Sequence, residues 1–394
     1  MTPVFIGSGI YRGSSYGAWH PLHIPRVSTV MDLARALGWL PDAQYRTSPR
    51  AKPLALGMFH TPDYVAALMQ AEATQTVDEG MRTRHGLGTT ANPVFAEMFR
   101  RPATGAGGVM LAAELLRDGG VVHVPGGGTH HAMADRANGF CYLNDPVLAL
   151  LSLRRMGLSR IAYVDIDAHH CDGVNAALAG ADDMLMISVH EDRRWPFTGA
   201  LGDDAGGRAL NLPVPRGFND SEMRYVLRRL ILPVLERFDP QAVVLQCGSD
   251  AIEEDPLSRL ALSNNAHVET ALALRDLAPR LMVLGGGGYN PWSVARCWTR
   301  VWGALNGHTA SAPLTDPAQQ VLHALHWNRR GTGRRPQDHW KTTLADPPRE
   351  GPVRPEITGA VASLHARFDA ASPHSRRNGA QGQKKTAHSP APSL

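Results

Sequence analysis

Five ionisable side chains, Asp165, Asp167, His169, His170 and Asp172, fall within eight positions of Tyr163-Val-Asp-Ile-Asp-Ala-His-His-Cys-Asp-Gly-Val174. Carboxylate oxygen and imidazole nitrogen both suit a divalent ion, and zinc takes either at about 2.0–2.2 Å. Ionisable groups crowded beside an apolar run are costly to bury unless they pair or bind a metal. Ile161 to Ile166 reads as a short buried strand. Residues two apart in a strand share a face. Strand geometry carried through would therefore send Asp165, Asp167 and His169 off the strand end on one side. A solvated Asp/His loop after a strand is the plainer alternative.

Stepping outward along the chain, strand and helix patterns alternate. Val121 to Pro125 reads as a strand that runs into Gly126-Gly-Gly-Thr-His-His131. The glycines free the backbone to turn sharply beneath a ligand and deliver two adjacent histidines. Met184 to Val189, Ala242 to Leu245 and Leu281 to Leu284 are further strands; the last two end in Gln246-Cys-Gly-Ser-Asp250 and Gly285-Gly-Gly-Gly-Tyr289. Val4 to Ile6 is a first-strand candidate. Helices are expected over Arg26–Leu40, Pro62–Gln70 (Thr61 as its N-cap), Gly105–Leu116, Asn144–Arg155, Asp220–Phe238, Ala266–Ala278 and Pro291–Leu305, the last clear one. Residues 80–93 read as a Gly/Thr-rich loop. Such alternation predicts an α/β fold, a parallel sheet with helices on both faces. In that architecture ligands bind outside the carboxyl ends of the strands. Segments 126–131, 165–172, 247–250 and 285–289 should therefore converge on one crevice.

Composition narrows the class. The chain has 394 residues, 43% of them hydrophobic, enough for a large core. No apolar run reaches the roughly 18 residues that suggest a membrane span, and the first residues lack a signal-peptide pattern. Cys141, Cys171, Cys247 and Cys297 are too scattered for a disulfide framework, which points to a reducing, cytoplasmic setting. The net charge of +4 belongs to the end of the chain. From Arg329 onward there are 12 Lys/Arg against 5 Asp/Glu, leaving the first 328 residues with 28 against 31. The folded part thus gives no charge argument for nucleic-acid binding. Residues 1–310 form the expected catalytic domain, 311–372 an extension partly packed on it (His323 to Trp327 especially), and 373–394 a disordered basic tail.

Gly126-Gly-Gly-Thr-His-His-Ala132, Gly139-Phe-Cys-Tyr-Leu-Asn-Asp145, Asp165-Ile-Asp-Ala-His-His-Cys-Asp-Gly173, Gly248-Ser-Asp250 and Gly285-Gly-Gly-Gly-Tyr289 occur in one order. Together they resemble the zinc-dependent histone deacetylase family, in its bacterial branch of acetoin-utilisation proteins and acetylpolyamine amidohydrolases. The resemblance runs from roughly residue 16 to 306. It implies a single arginase/deacetylase-type domain on an eight-stranded parallel sheet, and amide hydrolysis with one catalytic zinc. Asp167, His169 and Asp250 match the zinc ligands, His130 and His131 the paired catalytic histidines, and Asp165 and Asp172 the carboxylates behind them. Tyr289 matches the tyrosine that holds the substrate carbonyl. Gly139 resembles the residue whose carbonyl accepts the substrate amide N–H, and Phe140 and Trp195 the channel walls. Asp165, Asp167, His169, Ser188 and Val189 resemble a monovalent-cation site, implying potassium. Arg26 resembles an arginine on an acetate-release path, with a surface salt bridge as the alternative. His20, His23, His170 and His190 read as structural.

One departure bears on substrate. Many family members carry an acidic rim residue in the loop before Pro93; here Ala91 stands in its place. A peptide would then be held by another rim group such as Asp63 or Asp192, or the substrate would be a smaller acyl amide. The expected partner is an acetylated protein or peptide, or a small acylated amine. No membrane or specific nucleic-acid partner is expected, and oligomeric state stays open. A small-molecule amidohydrolase and a non-catalytic binding module are the alternatives to a lysine deacylase.

Overall fold

The computed structural model describes residues 1–310, 313–327 and 336–371; the tail expected to be disordered, 373–394, lies outside the described residues. Eight strands form one sheet: β1 Val4–Gly7, β2 Tyr45–Thr47, β3 Gly120–Val124, β4 Ile161–Asp165, β5 Met184–Glu191, β6 Ala209–Val214, β7 Ala242–Gln246 and β8 Arg280–Leu284. Their order is β2-β1-β3-β8-β7-β4-β5-β6, and every pair is parallel.

The period of two sorts each central strand between two cores. Ile161 and Tyr163 of β4, Ala242 and Val244 of β7, and Met282 and Leu284 of β8 join one apolar cluster. Helices Pro62–Thr74, Arg100–Leu115 and Asp145–Arg155 close that face. Ala162 and Val164, Val243 and Leu245, and Leu281 and Val283 point the other way. They meet helix Asn264–Leu277, the helical run 220–238, and helix Pro355–Ala371 through Ile357, Val361 and Leu364. Burial on both faces explains why these strands read as continuous apolar runs.

Several expectations need correction. The strand beginning at Ile161 stops at Asp165, and a bend follows, so Asp167 and His169 do not continue its face. The stretch read as a loop from residue 80 opens with helix Glu79–His85, because the Asp78 carboxylate accepts the Met81 amide and caps it. Thr61 sits at the N-cap position of Pro62–Thr74 but makes no capping hydrogen bond. The helix expected over 220–238 is interrupted by a π-helical segment, Leu227–Ile231. Pro291–Leu305 is not the last helix. Asp316–His323 packs Ala318 and Leu322 beside Trp292 and Leu33, and Trp340 joins that cluster.

Candidate active site

The central four strands, β3-β8-β7-β4, are neighbours in the sheet, and each carries one of the four Gly-rich or acidic segments at its carboxyl end. Adjacent parallel strands end side by side, so the segments meet. The outcome is a buried polar crevice at the carboxyl edge of a largely apolar sheet.

β4 delivers Asp165, which is wholly buried. Its Oδ2 accepts the Tyr163 hydroxyl at 2.7 Å and lies 2.9 Å from His130 Nδ1; Oδ1 accepts the Asp167 amide at 2.9 Å. His131 Nδ1 lies 2.7 Å from Asp172 Oδ1, and Asn138 Nδ2 donates to the other Asp172 oxygen at 2.9 Å. Asp172 is the first residue of helix Asp172–Leu178, so the helix start fixes it. The two Nε2 atoms of His130 and His131 face each other at 2.9 Å. With each Nδ1–H given to a carboxylate, that contact requires one more proton between the rings. Burial opposes charge on His130, but the Asp165 and Asp167 carboxylates outweigh it and raise its pKa to about 9. Burial and the neighbouring His130 lower His131 to about 4. The carboxylates around His130 thus favour the shared proton on His130 over His131.

Asp167, His169 and Asp250 come together as the bend after β4 meets the turn after β7. Their ligand-capable atoms all lie within 4.8 Å of one another, and all three residues are buried. His169 Nδ1 is 2.9 Å from Asp250 Oδ2 and 3.3 Å from Asp167 Oδ1. The Gly287 amide donates to Asp167 Oδ2 at 2.7 Å, and the Ala168 amide to Asp250 Oδ1 at 2.9 Å. Burial and the Asp167 charge push the Asp250 carboxyl up to about 6. Burial would depress His169, yet the two carboxylates raise it to about 10. Two carboxylates and an imidazole brought together in a dry site are a donor set that suits a divalent cation.

Tyr289 closes the crevice. Its amide donates to the buried Asp255 carboxylate at 2.6 Å, which anchors the loop after β8. Burial first, then the Asp250 and Asp167 charges, hold its phenol well above the usual pKa of 10, so the hydroxyl keeps its proton. A channel of about 580 Å³ leads in from the surface between Phe140 and Trp195, past His131, His169 and Tyr289. The Trp195 ring stands edge-on to His131 at 4.6 Å, and Phe140 edge-on to Tyr289 at 5.9 Å. Gly139 has φ +54°, and a Cβ there would overlap the Trp195 ring; only glycine leaves the wall this close.

Beyond the site lies a cavity of about 50 Å³, whose polar wall includes Tyr11, Tyr16, Arg26 and Arg101. Arg26 donates to the Gly286 carbonyl at 2.7 Å and lies over the Trp298 ring. No carboxylate pairs with it among the described residues, so the surface salt bridge considered from the sequence is not what forms. Ser188 stands opposite Asp165 in the β4–β5 register, and its hydroxyl is 2.9 Å from His190 Nδ1. Val189 follows it on β5. His20, His23, His170 and His190 bond to backbone or hydroxyl groups away from the cluster. Ala91 lines the channel mouth; neither Asp63 nor Asp192 does.

Several site residues escaped sequence reasoning. Tyr163 carried a signal, since it precedes Asp165 by two in a strand and so shares its face. Asn138, Asp255 and Arg101 carried none, being single polar residues in segments without periodicity.

Comparison with known proteins fits this geometry. Residues 20–305 match the model of the histone deacetylase domain. Putative histone deacetylase 2 of Caenorhabditis elegans is 35% identical over 302 residues, covering 74% of this chain and 59% of that protein's length. Acetoin utilization protein AcuC of Bacillus subtilis is 32% identical, covering 77% of this chain and 82% of its own. The crystal structure of an HDAC homolog from Aquifex aeolicus superposes with a TM-score of 0.88 at 35% identity, over 92% of this chain and 100% of that one. An HDAC homolog complexed with SAHA gives 0.87 at the same identity and coverage. The eight-stranded parallel sheet is thus the arginase/deacetylase fold, and the chain belongs to the histone deacetylase family of zinc-dependent amide hydrolases.

Proposed function

We propose that this protein is a zinc-dependent deacylase that removes an acetyl group from an N-acetylated amine, with acetyl-lysine of proteins the foremost substrate. The observation that carries the proposal is one constellation. Two buried histidines, each backed by its own carboxylate, stand in one crevice with a buried Asp–His–Asp cluster and a protonated tyrosine.

The donor set fits zinc: two carboxylate oxygens and one imidazole nitrogen within 4.8 Å, leaving the channel side for water and substrate. Bound there, zinc would polarise the acyl carbonyl and bring the pKa of a water towards about 7. Asp167, His169 and Asp250 would hold it. His131, neutral and at the channel, takes the proton of the attacking water as the O–C bond forms. Asp172 steadies the imidazolium that results. The Tyr289 hydroxyl donates to the oxyanion that develops on the carbonyl oxygen, a contact worth on the order of 3–4 kcal/mol. As the C–N bond breaks, the histidine pair returns a proton to the leaving nitrogen. Acetate and a free amine are the products. Phe140 and Trp195 grip the alkyl stem of the substrate and exclude water, and the Gly139 carbonyl faces its N–H. The inner cavity, with Arg26, suits an acetate leaving by that route. We also assign potassium to Asp165, Asp167, His169, Ser188 and Val189 behind the site. Four buried free thiols suit a reducing compartment.

The alternative, an acetylpolyamine amidohydrolase, is disfavoured by Ala91, because no carboxylate among the described residues lines the mouth to receive a second ammonium group. Acetate release from an acetyl-lysine peptide should stop on complete chelation and return with one equivalent of zinc. Release that survives chelation would overturn the proposal.

A further inference from the structure

Among the described residues, the channel lining offers a cation and no carboxylate. Of the side chains lining the channel, Arg194 alone among the described residues bears a permanent charge; its neighbours there include Thr89, Ala91, Asn92, Asn138 and Leu257. The Trp195 ring stands edge-on to His131, and the adjoining Arg194 lines the same channel. Its Nε donates to Glu191 Oε2 at 2.8 Å and its Nη2 to Oε1 at 2.7 Å, while Nη1 has no partner among the described residues. This fork holds the group in one orientation, so little freedom is lost when a ligand docks.

Glu191 engages only two of the three guanidinium nitrogens. It is buried, it accepts the Arg259 amide at 2.8 Å, and Arg216 Nε stands 3.9 Å from it. The carboxylate thus serves further donors besides Arg194, and, among the described residues, Arg194 Nη1 keeps its hydrogens free for a ligand. Resting on the deacylase function above, we infer that the channel mouth selects acylated amines bearing a carboxylate on the outer side of the acyl-lysine, received by Arg194. The carboxylate has two possible sources, an acidic residue beside the acyl-lysine or the α-carboxylate of a terminal or free acyl-lysine.

The experiment compares kcat/KM of the zinc-loaded full-length protein on four substrates: a capped neutral acetyl-lysine peptide, the same peptide with aspartate following the acetyl-lysine, a peptide ending in acetyl-lysine with a free carboxylate, and acetylspermidine. At least one carboxylate-bearing substrate should exceed the neutral peptide by about ten- to hundredfold, the range for a hydrogen bond to a charged group. Which of the two leads identifies the source. Arg194→Gln should collapse that ratio to about one, chiefly through KM, and Arg194→Lys should restore part of it. If Arg194→Gln fails to fold, the wild-type ratios and their decline between low and high salt decide alone. Turnover of the neutral peptide without a carboxylate preference, or a preference for acetylspermidine, overturns the inference and leaves the deacylase function standing. Turnover of none overturns both.

Discussion

Gly287 is the position where one methyl group should separate the metal from the protein. Its amide holds Asp167 at 2.7 Å, and its α-carbon faces the Asp167 and Asp250 carboxylates. A Cβ placed there would stand 2.9 Å from Asp167 Oδ2 and would overlap the Asp250 carboxylate outright, against the 3.4 Å of ordinary contact. Asp167 would have to retreat by about half an ångström and Asp250 by more, whereas a metal site tolerates only about 0.2 Å in ligand distances. Neither carboxylate can yield, because the Ala168 amide and His169 fix Asp250, and the Asp167 side chain is buried. Changes to groups that only orient ligands cost about 10–100-fold in metal affinity. Gly287→Ala displaces the ligands themselves, so its zinc Kd should rise at least about a hundredfold, roughly 2.7 kcal/mol. Competition with a chromophoric chelator reads this directly, and a far-UV spectrum and thermal melt confirm the fold. Zinc affinity within threefold of wild type, in a folded variant, would refute the placement of the metal between Asp167 and Asp250.

Two further outcomes follow from the packing. His123 on β3 is fully buried with both ring nitrogens unpartnered among the described residues, and burial pushes its pKa down to about 3. The unfolded chain takes up its proton near pH 6.5, so stability is full above that pH and declines on acidification, by roughly 1 kcal/mol between pH 6 and 5 from this residue. His123→Phe should lessen the drop in urea midpoint between pH 7 and 5, although His60 and His190, lowered to about 4 and 3, keep part of it; unchanged slopes would contradict this. Ending the chain at residue 353 removes buried Ile357, Val361 and Leu364, each worth roughly 1.5–3 kcal/mol, and the Arg354–Glu222 ion pair. It should lower Tm markedly, whereas ending at 371 should not, and equal melts for the two would show that the last helix contributes nothing.

The sequence disclosed the fold where one strand meant one apolar run. β3, β4, β7 and β8, buried on both faces, were legible together with the polar segments at their ends. The edge strands were not. β2 is three residues long, and β6 contains Pro213, which weakens any strand signal and suits an edge, where β6 lies. Leu210, Leu212 and Val214 do alternate in β6, so a period-two signal was present but overridden. Helix Pro355–Ala371 likewise carries Ile357, Val361 and Leu364 at helical spacing, within a part of the chain whose overall balance from Arg329 onward is basic. The π segment at Leu227–Ile231 leaves the hydrophobic period nearly unchanged and cannot be read from it. At the site, the ligand candidates were legible because motifs adjoin strand ends. Their separation was not: Asp165 turns to His130 while Asp167 turns to Asp250, because the strand ends between them. The Glu191 fork that fixes Arg194 at the rim depends on Glu191 being buried, which charge patterning does not reveal.

Acetate release from an acetyl-lysine peptide by the zinc-loaded protein, run beside Tyr289→Phe, tests the deacylase chemistry most directly. The variant deletes one hydroxyl that burial keeps protonated and leaves Asp167, His169 and Asp250 in place. It should bind zinc as wild type does and lose about 10²–10³-fold in kcat, the usual cost of an oxyanion donor. Equal turnover by the two proteins, with zinc confirmed in both, would contradict the role given to Tyr289 and the mechanism built on it.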